Sequence, residues 1–294
     1  MASAKGVSRG EGILGSGFLT IHKRAAFTLV ELLVVIAIIA LLMSILMPAL
    51  AAVRKQANAA MCQANLKEWG IGFQLFGHDH EGFFPKSYPN GADYWLRAML
   101  PYVGIKENEK SQAREIFLCP SAKRSKNLPE DRKLGTTFSA WGPFTESTLW
   151  WDAGAMGSYG INDWCANPTE DEAGNYWWSF PAKYAWRSQD AKGASNAPIL
   201  LDCLYTDGFP LHVDQPPEYP EVVHDSGDWG NNAMQLFCID RHQGGINGLF
   251  MGYNVRKIGL KQLWTLKWHR GFRTDKPPNW KTEAPWLLNY RNYY

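Results

Sequence analysis

Most of the short signatures that announce an enzyme are missing from this sequence. It has no G-x-S-x-G elbow, no H-E-x-x-H helix and no phosphate-binding glycine loop, so the serine-hydrolase, zincin and P-loop readings fall away. No C-x-x-C pair occurs among its five dispersed cysteines (Cys62, Cys119, Cys165, Cys203, Cys238), which excludes a zinc ribbon or a thioredoxin-type redox motif. Net charge is scarce. The chain of 294 residues carries a formal +2, and Lys5, Arg9, Lys23 and Arg24 against Glu11 put +3 before Phe27, leaving −1 for everything after it. A near-neutral body gives no electrostatic case for nucleic-acid binding, and none is expected. No internal repeat is evident.

Two features stand out against these absences. With 14 Trp, 12 Tyr and 14 Phe the chain is rich enough in aromatics to bury a core, which argues against disorder over most of its length. From Leu32 to Leu50 every residue is apolar except Ser44 and Pro48. As a helix this run is roughly 28 Å long, close to the ~30 Å hydrocarbon core of a bilayer. It is apolar all round, so its natural surroundings are lipid or like helices. The basic residues before it place the N-terminus in the cytoplasm and the rest of the chain on the far side of an inner membrane, periplasmic or extracellular. A secretory signal peptide cut after Ala49-Leu50-Ala51 and a plain membrane anchor are the competing readings. The run is longer than a typical signal core, and neither alternative accounts for Glu31 at its entrance.

The segment Lys23-Arg24-Ala25-Ala26-Phe27-Thr28-Leu29-Val30-Glu31-Leu32-Leu33 resembles the processing site of type IV prepilins and pseudopilins. The resemblance implies a prepilin peptidase that cuts between Ala26 and Phe27 and methylates Phe27. The family usually has Gly where this chain has Ala26. Glu31 then becomes the fifth mature residue, and Pro48 stands where the family often has a helix-kinking proline. A carboxylate at the membrane costs a few kcal/mol unless paired. The amine of Phe27 on an adjacent subunit is the expected partner, which makes Glu31 an assembly residue that sets filament register.

The implied organisation is a basic leader over 1–26, a transmembrane and assembly helix over 27–50, a helical spine over 51–80 and a globular ectodomain over 81–294. Cys62, Leu66, Trp69, Phe73 and Phe76 recur at spacings of four and three, one face of a helix. The fold class expected is α+β, a long N-terminal helix packed on a mainly antiparallel sheet. A second helix is expected over Asp93–Val103 and a last one over Leu260–His269. Strands are expected at Ile116–Cys119, Ser158–Asn162, Ala197–Asp202, Met234–Asp240, Ile246–Gly252 and Val255–Ile258, with Gly244-Gly245 turning a hairpin between the fourth and fifth.

A second resemblance covers the C-terminal half. Arg241-His242-Gln243-Gly244-Gly245-Ile246-Asn247-Gly248-Leu249-Phe250-Met251 is similar to prepilin-associated proteins marked by a His, nine residues, then Asp-Gly, with Gly252-Tyr253 here in the Asp-Gly position. Phe117-Leu118-Cys119-Pro120-Ser121 and Ser158-Tyr159-Gly160-Ile161-Asn162 look like the same group. His242, Gly244, Gly245, Asn247 and Gly252 are the motif positions.

Other candidates have bland alternatives. The five cysteines of an exported domain suffice for two disulfides with one thiol over, or are simply small buried residues. His78, Asp79 and His80, and His224, Asp225, Asp228, Asp240 and His242, are loop residues whose commoner role is solvation or turn capping. Asp202, Asp207 and Asp214 are a conceivable calcium set, though their spacing is not that of a recognised calcium loop, so no metal or cofactor is assigned. Trp150-Trp151, Tyr176-Trp177-Trp178 and Tyr184-Ala185-Trp186 are core residues or a contact surface.

The reading is a structural subunit, not an enzyme, of a type II secretion or type IV pilus-like filament. Its partners are the membrane, the prepilin peptidase, other pilin-like copies and the assembly machinery. Two alternatives stand beside it: a membrane-anchored binding module for glycan or protein, and an anchored hydrolase using His242 with a cysteine such as Cys119.

Overall fold

The structure is a computed structural model that describes residues 28–86, 94–105, 115–123, 134–148, 151–168, 181–219 and 232–293. It divides into two compact units between Leu50 and Ala51. The expected leader over residues 1–26, with Ala26, and Phe27 lie outside the described residues.

The first unit is helical where it is described. Helix α1 spans Leu29–Asp79 and contains Pro48. Its apolar stretch has nothing buried, and by length and composition it suffices to cross a membrane. Its side chains stand exposed, Leu29 at 78% and Ile45 at 67%.

The second unit begins on the remainder of α1. Cys62, Leu66, Trp69, Phe73 and Phe76 are all buried, the face that the spacing predicts. Trp69 anchors it, meeting Phe117 edge-on at 5.2 Å and Trp95 at 5.6 Å while its indole N–H donates to Ile116 O at 2.9 Å. A Cβ at Gly70 would come within 2.9 Å of Leu249 Cδ1, so the absence of a side chain there lets helix and sheet approach closely.

The sheet has five strands, β1 (Tyr159–Asn162), β2 (Pro198–Asp202), β3 (Asp207–Gly208), β4 (Gly245–Phe250) and β5 (Val255–Gly259). Their spatial order is β3-β1-β2-β4-β5, antiparallel except for the short β1–β3 pair. Every residue of β1, β2 and β4 is buried, because both faces of the sheet are covered. Side chains alternate along each strand. Tyr159, Asp202 and Asn247 share the face toward α1, while Asn162 on the other face donates to Trp268 O at 2.8 Å. The fold is α+β.

Several expectations change. Residues 116–119 are not a strand. A 3-10 turn, Glu115–Phe117, precedes an irregular Leu118-Cys119 stretch before Pro120, whose missing N–H cannot serve a ladder. Met234–Asp240 is not a strand either, and Met234–Phe237 forms a single helical turn, α3, because a short apolar run suits either state. The turn ahead of β4 does form, with positive φ at Gln243 (54°) and Gly244 (94°) and His242 N donating to Gly245 O at 2.9 Å. Among the described residues no strand flanks it on the N-terminal side. The hairpin joins β4 to β5 instead, through Gly252 and through Tyr253 at φ 56°. The second helix shrinks to α2, Trp95–Ala98, followed by a 3-10 turn Leu100–Val103 started by Pro101, with Asp93 outside the described residues. The last expected helix is a 3-10 segment, Leu260–Thr265.

Candidate functional site

At its start α1 carries a reciprocal cap. Glu31 Oε2 accepts from the Thr28 backbone N–H at 2.8 Å and from the Thr28 hydroxyl at 2.8 Å, while Glu31 N donates to Thr28 Oγ1 at 3.2 Å. This is the capping box that T-x-x-E spells, and it satisfies helix donors that otherwise lack partners. The reading of Glu31 as unaccounted for outside a filament is therefore corrected. Its carboxylate has a local partner in the single chain, and the signal was legible as Thr28-Leu29-Val30-Glu31.

The second unit holds a denser cluster. Cys62 from α1, Cys119 from the loop after Phe117, Asp202 from the end of β2 and His242 from the turn before β4 converge in the interior, their ligating atoms all within 4.8 Å of one another. His242 Nε2 lies 3.3 Å from Cys119 Sγ and 3.1 Å from Asp202 Oδ2, and Cys62 Sγ lies 3.7 and 3.6 Å from the two Asp202 oxygens. All four residues are buried.

A polar frame holds them. Arg241, fully buried, donates from Nε to Thr137 O at 2.7 Å, from one terminal nitrogen to Ser158 O at 2.6 Å and Asp202 Oδ1 at 3.1 Å, and from the other to Thr136 O at 3.1 Å and Cys203 O at 3.3 Å. These five bonds use every donor that a guanidinium owns. Asn247 N donates to Asp202 Oδ2 at 2.9 Å, and its side chain ties back to α1 through Gln63 and Ala59 O. Cys119 N donates to Ser158 Oγ at 2.6 Å, and Ser158 N to Phe117 O at 2.9 Å. The three segments of the second resemblance thus meet around one point.

The charges shape the chemistry. Burial opposes ionisation of Asp202, but His242 and Arg241 beside it prevail and hold its carboxyl at about 2. Burial pushes the Cys119 thiol up, yet hydrogen bonding from Cys62 and His242 and the Arg241 charge bring it down to about 6. His242 is driven down by burial and, more strongly in sum, up by Asp202 and Cys119, reaching about 9. Burial, together with Cys119 and the Asp202 charge, sends Cys62 well above an ordinary thiol.

Cys119 and His242 therefore do meet, the pair that a hydrolase reading needs. The sulfur is fully buried, and Asp202 contacts the same ring nitrogen as Cys119, whereas a nucleophile–base–orienter relay uses opposite nitrogens of the imidazole. A cleft of ≈ 410 Å³ reaches the outer side of this region, lined by Lys55, Ser121, Lys123, Asp240, His242 and Lys257 among others.

The remaining candidates separate. All five cysteines are free and buried in the structure, each thiol enclosed by the core or by the cluster. Asp202, Asp207 and Asp214 do not make one calcium site. Asp207 accepts from the Tyr94 hydroxyl, and Asp214 accepts from Leu211 N at 3.0 Å and Met234 N at 2.9 Å. His78 and Asp79 pair in solvent at 3.3 Å, and His80 stacks on Phe76 at 3.9 Å. Asp240 caps the turn through Gly244 N and receives the Tyr290 hydroxyl at 3.1 Å. Gly245 opens β4, and Gly252 is exposed in the β4–β5 turn. Trp151 stacks on Phe144 at 4.1 Å, and Trp186 donates to Trp268 O at 2.9 Å, both as core residues. Trp150, Tyr176, Trp177, Trp178, His224, Asp225 and Asp228 lie outside the described residues.

Among curated proteins and solved structures nothing matches this chain. A family model does match: the prokaryotic N-terminal methylation motif, over residues 21–47. That motif implies prepilin peptidase processing and assembly into pilin-type filaments, and the exposed apolar helix is consistent with membrane anchoring, so the N-terminal segment of the chain is similar to that of type IV prepilins.

Proposed function

We propose that the chain is a structural subunit of a type II secretion or type IV pilus-like filament, and not an enzyme. In this reading the leader is removed between Ala26 and Phe27, Phe27 is methylated, and the mature helix leaves the membrane to pack among its own kind. The observation that carries it is the coincidence of the methylation motif at 21–47 with a helix that exposes a continuous apolar surface. A free apolar helix of that length has two stable environments, lipid and a bundle of similar helices, and a filament subunit passes from one to the other. Glu31 then exchanges its Thr28 partners for the amine of Phe27 in a neighbouring copy. The ectodomain is the part left to face solvent or cargo.

Intact-mass and N-terminal analysis of the chain from native membranes tests the processing step. A start at methylated Phe27 is expected, and a start near Ala52 overturns the proposal in favour of a signal peptide. For assembly, Glu31→Gln is expected to abolish or sharply reduce filament yield while leaving ectodomain folding intact. Unchanged yield and subunit spacing refute the role given to Glu31.

A further inference from the structure

We propose that Cys62, Cys119, Asp202 and His242 are the four ligands of one structural zinc ion. Two thiolates, an imidazole and a carboxylate form a donor set that suits zinc, and its sulfur and nitrogen atoms rule against calcium, which takes six to eight oxygens. The geometry agrees. A tetrahedron with Zn–S of about 2.3 Å and Zn–N and Zn–O of about 2.0–2.1 Å has edges of roughly 3.3–3.8 Å. Three of the six separations are 3.3 Å for Cys119 Sγ to His242 Nε2, 3.1 Å for His242 Nε2 to Asp202 Oδ2 and 3.6 Å for Cys62 Sγ to Asp202 Oδ2, and all six lie within 4.8 Å, so shifts of at most about 1 Å admit the ion.

Charge and support point the same way. The two thiolates and Asp202 carry three negative charges, which a divalent ion and the buried Arg241 guanidinium cancel, leaving the interior neutral. Arg241 and Asn247 N grip Asp202 from outside the tetrahedron, the kind of support that orients a ligating carboxylate. Ligation releases any proton on the thiols and on His242 Nε2 to solvent and involves no redox step. A disulfide between Cys62 and Cys119 is the competing fate in an oxidising compartment, but it gives no reason for an imidazole and a carboxylate to converge on the same point. With four protein ligands, all buried, the site is closed and structural, and the cleft beside His242 gives the ion its way in. The ion would pin the spine helix, through Cys62, to the sheet it packs on.

The test uses the untagged full-length chain purified from membranes in detergent without chelator. One zinc per chain is expected by elemental analysis and native mass. Removing it with a chelator should lower the melting temperature, and zinc chloride, but not calcium chloride, should restore it. Cobalt(II) put in its place should give tetrahedral ligand-field bands and a thiolate-to-cobalt charge-transfer band. Cys119→Ser is expected to weaken zinc binding at least tenfold, whereas Cys165→Ser, at a buried thiol outside the cluster and its frame, keeps one zinc per chain. Should Cys119→Ser fail to fold, the wild-type measurements decide alone. Three results overturn the proposal: no zinc in the isolated chain and no uptake from zinc chloride after reduction, a Cys62–Cys119 disulfide recovered by peptide mapping of the native protein, or full zinc content in Cys119→Ser. None of these readouts depends on filament formation.

Discussion

Replacing Arg241 by methionine removes one cation from the interior and leaves Asp202 and four backbone carbonyls without its donors. Summed at about 1.5–3 kcal/mol each, five bonds from a charged donor would come to roughly 7–15 kcal/mol, as much as the whole stability of an ordinary domain. The sum overshoots because the guanidinium gave up its hydration to make them. Breaking a buried pair by deleting one partner costs about 3–5 kcal/mol, and that is the loss expected for Arg241→Met. With a urea m-value of about 2.5 kcal/mol/M, a loss of about 4 kcal/mol lowers the unfolding midpoint by about 1.6 M. Arg241→Lys keeps the charge but offers three donors in place of a planar fork, so its loss should fall between those of the wild type and Arg241→Met. Urea titration of the full chain in detergent, followed by tryptophan fluorescence, reads all three. A methionine variant within about 1 kcal/mol of the wild type would refute the view that Arg241 frames the cluster.

Other expectations follow from single contacts. Burial raises the Asp214 carboxyl from 3.8 to about 7 against its two backbone donors, so the folded state holds a proton that the unfolded chain has released. Stability therefore falls as pH rises from about 4 to about 7, by at most about 1.4 kcal/mol per pH unit, and Asp214→Asn should flatten that slope in a pH series of melts. A Cβ at Gly157 would run into the buried ring of Trp141, so Gly157→Ala should cost about 2–3 kcal/mol in denaturant titration. Gly70→Ala meets the end of one aliphatic side chain, Leu249, and should cost less in the same assay. Thr28→Ala removes both hydroxyl bonds of the cap and should weaken the helix start by about 1 kcal/mol, seen as faster amide exchange at residues 29–31.

The helix face of α1 was legible because a four-three recurrence of Cys62, Leu66, Trp69, Phe73 and Phe76 matches the turn of a helix and clashes with the two-residue period of a strand. β1, β2 and β4 were legible as largely apolar runs between glycines and turn residues, and β5 from Val255 and Ile258 just after the Gly252-Tyr253 turn. β3 was not, since two residues pairing parallel to β1 leave no periodicity to read. Residues 116–119 and 234–240 failed for a related reason. Each is too short for its period to show, and the side chains packed around it, not local preference, decide its backbone. The buried cluster was half visible. Cys119 with His242 was one conceivable pairing among many, but Cys62 and Asp202, 140 residues apart in sequence, cannot be matched to it without the fold. Arg241 sits beside His242 in the C-terminal motif, and nothing in a one-dimensional reading distinguishes an arginine that frames a site from one on the surface.

The bond from Glu31 to Thr28 bears on how a polymer of such chains gains and loses members. A carboxylate already satisfied within its own first turn does not arrive at a growing end as a bare charge in search of relief. In the filament reading, what this carboxylate adds to joining is the margin by which a foreign amine outcompetes a domestic amide and hydroxyl. The narrower that margin, the less this one contact would bind a member to its neighbour, and the more would rest on the packing of the apolar helices.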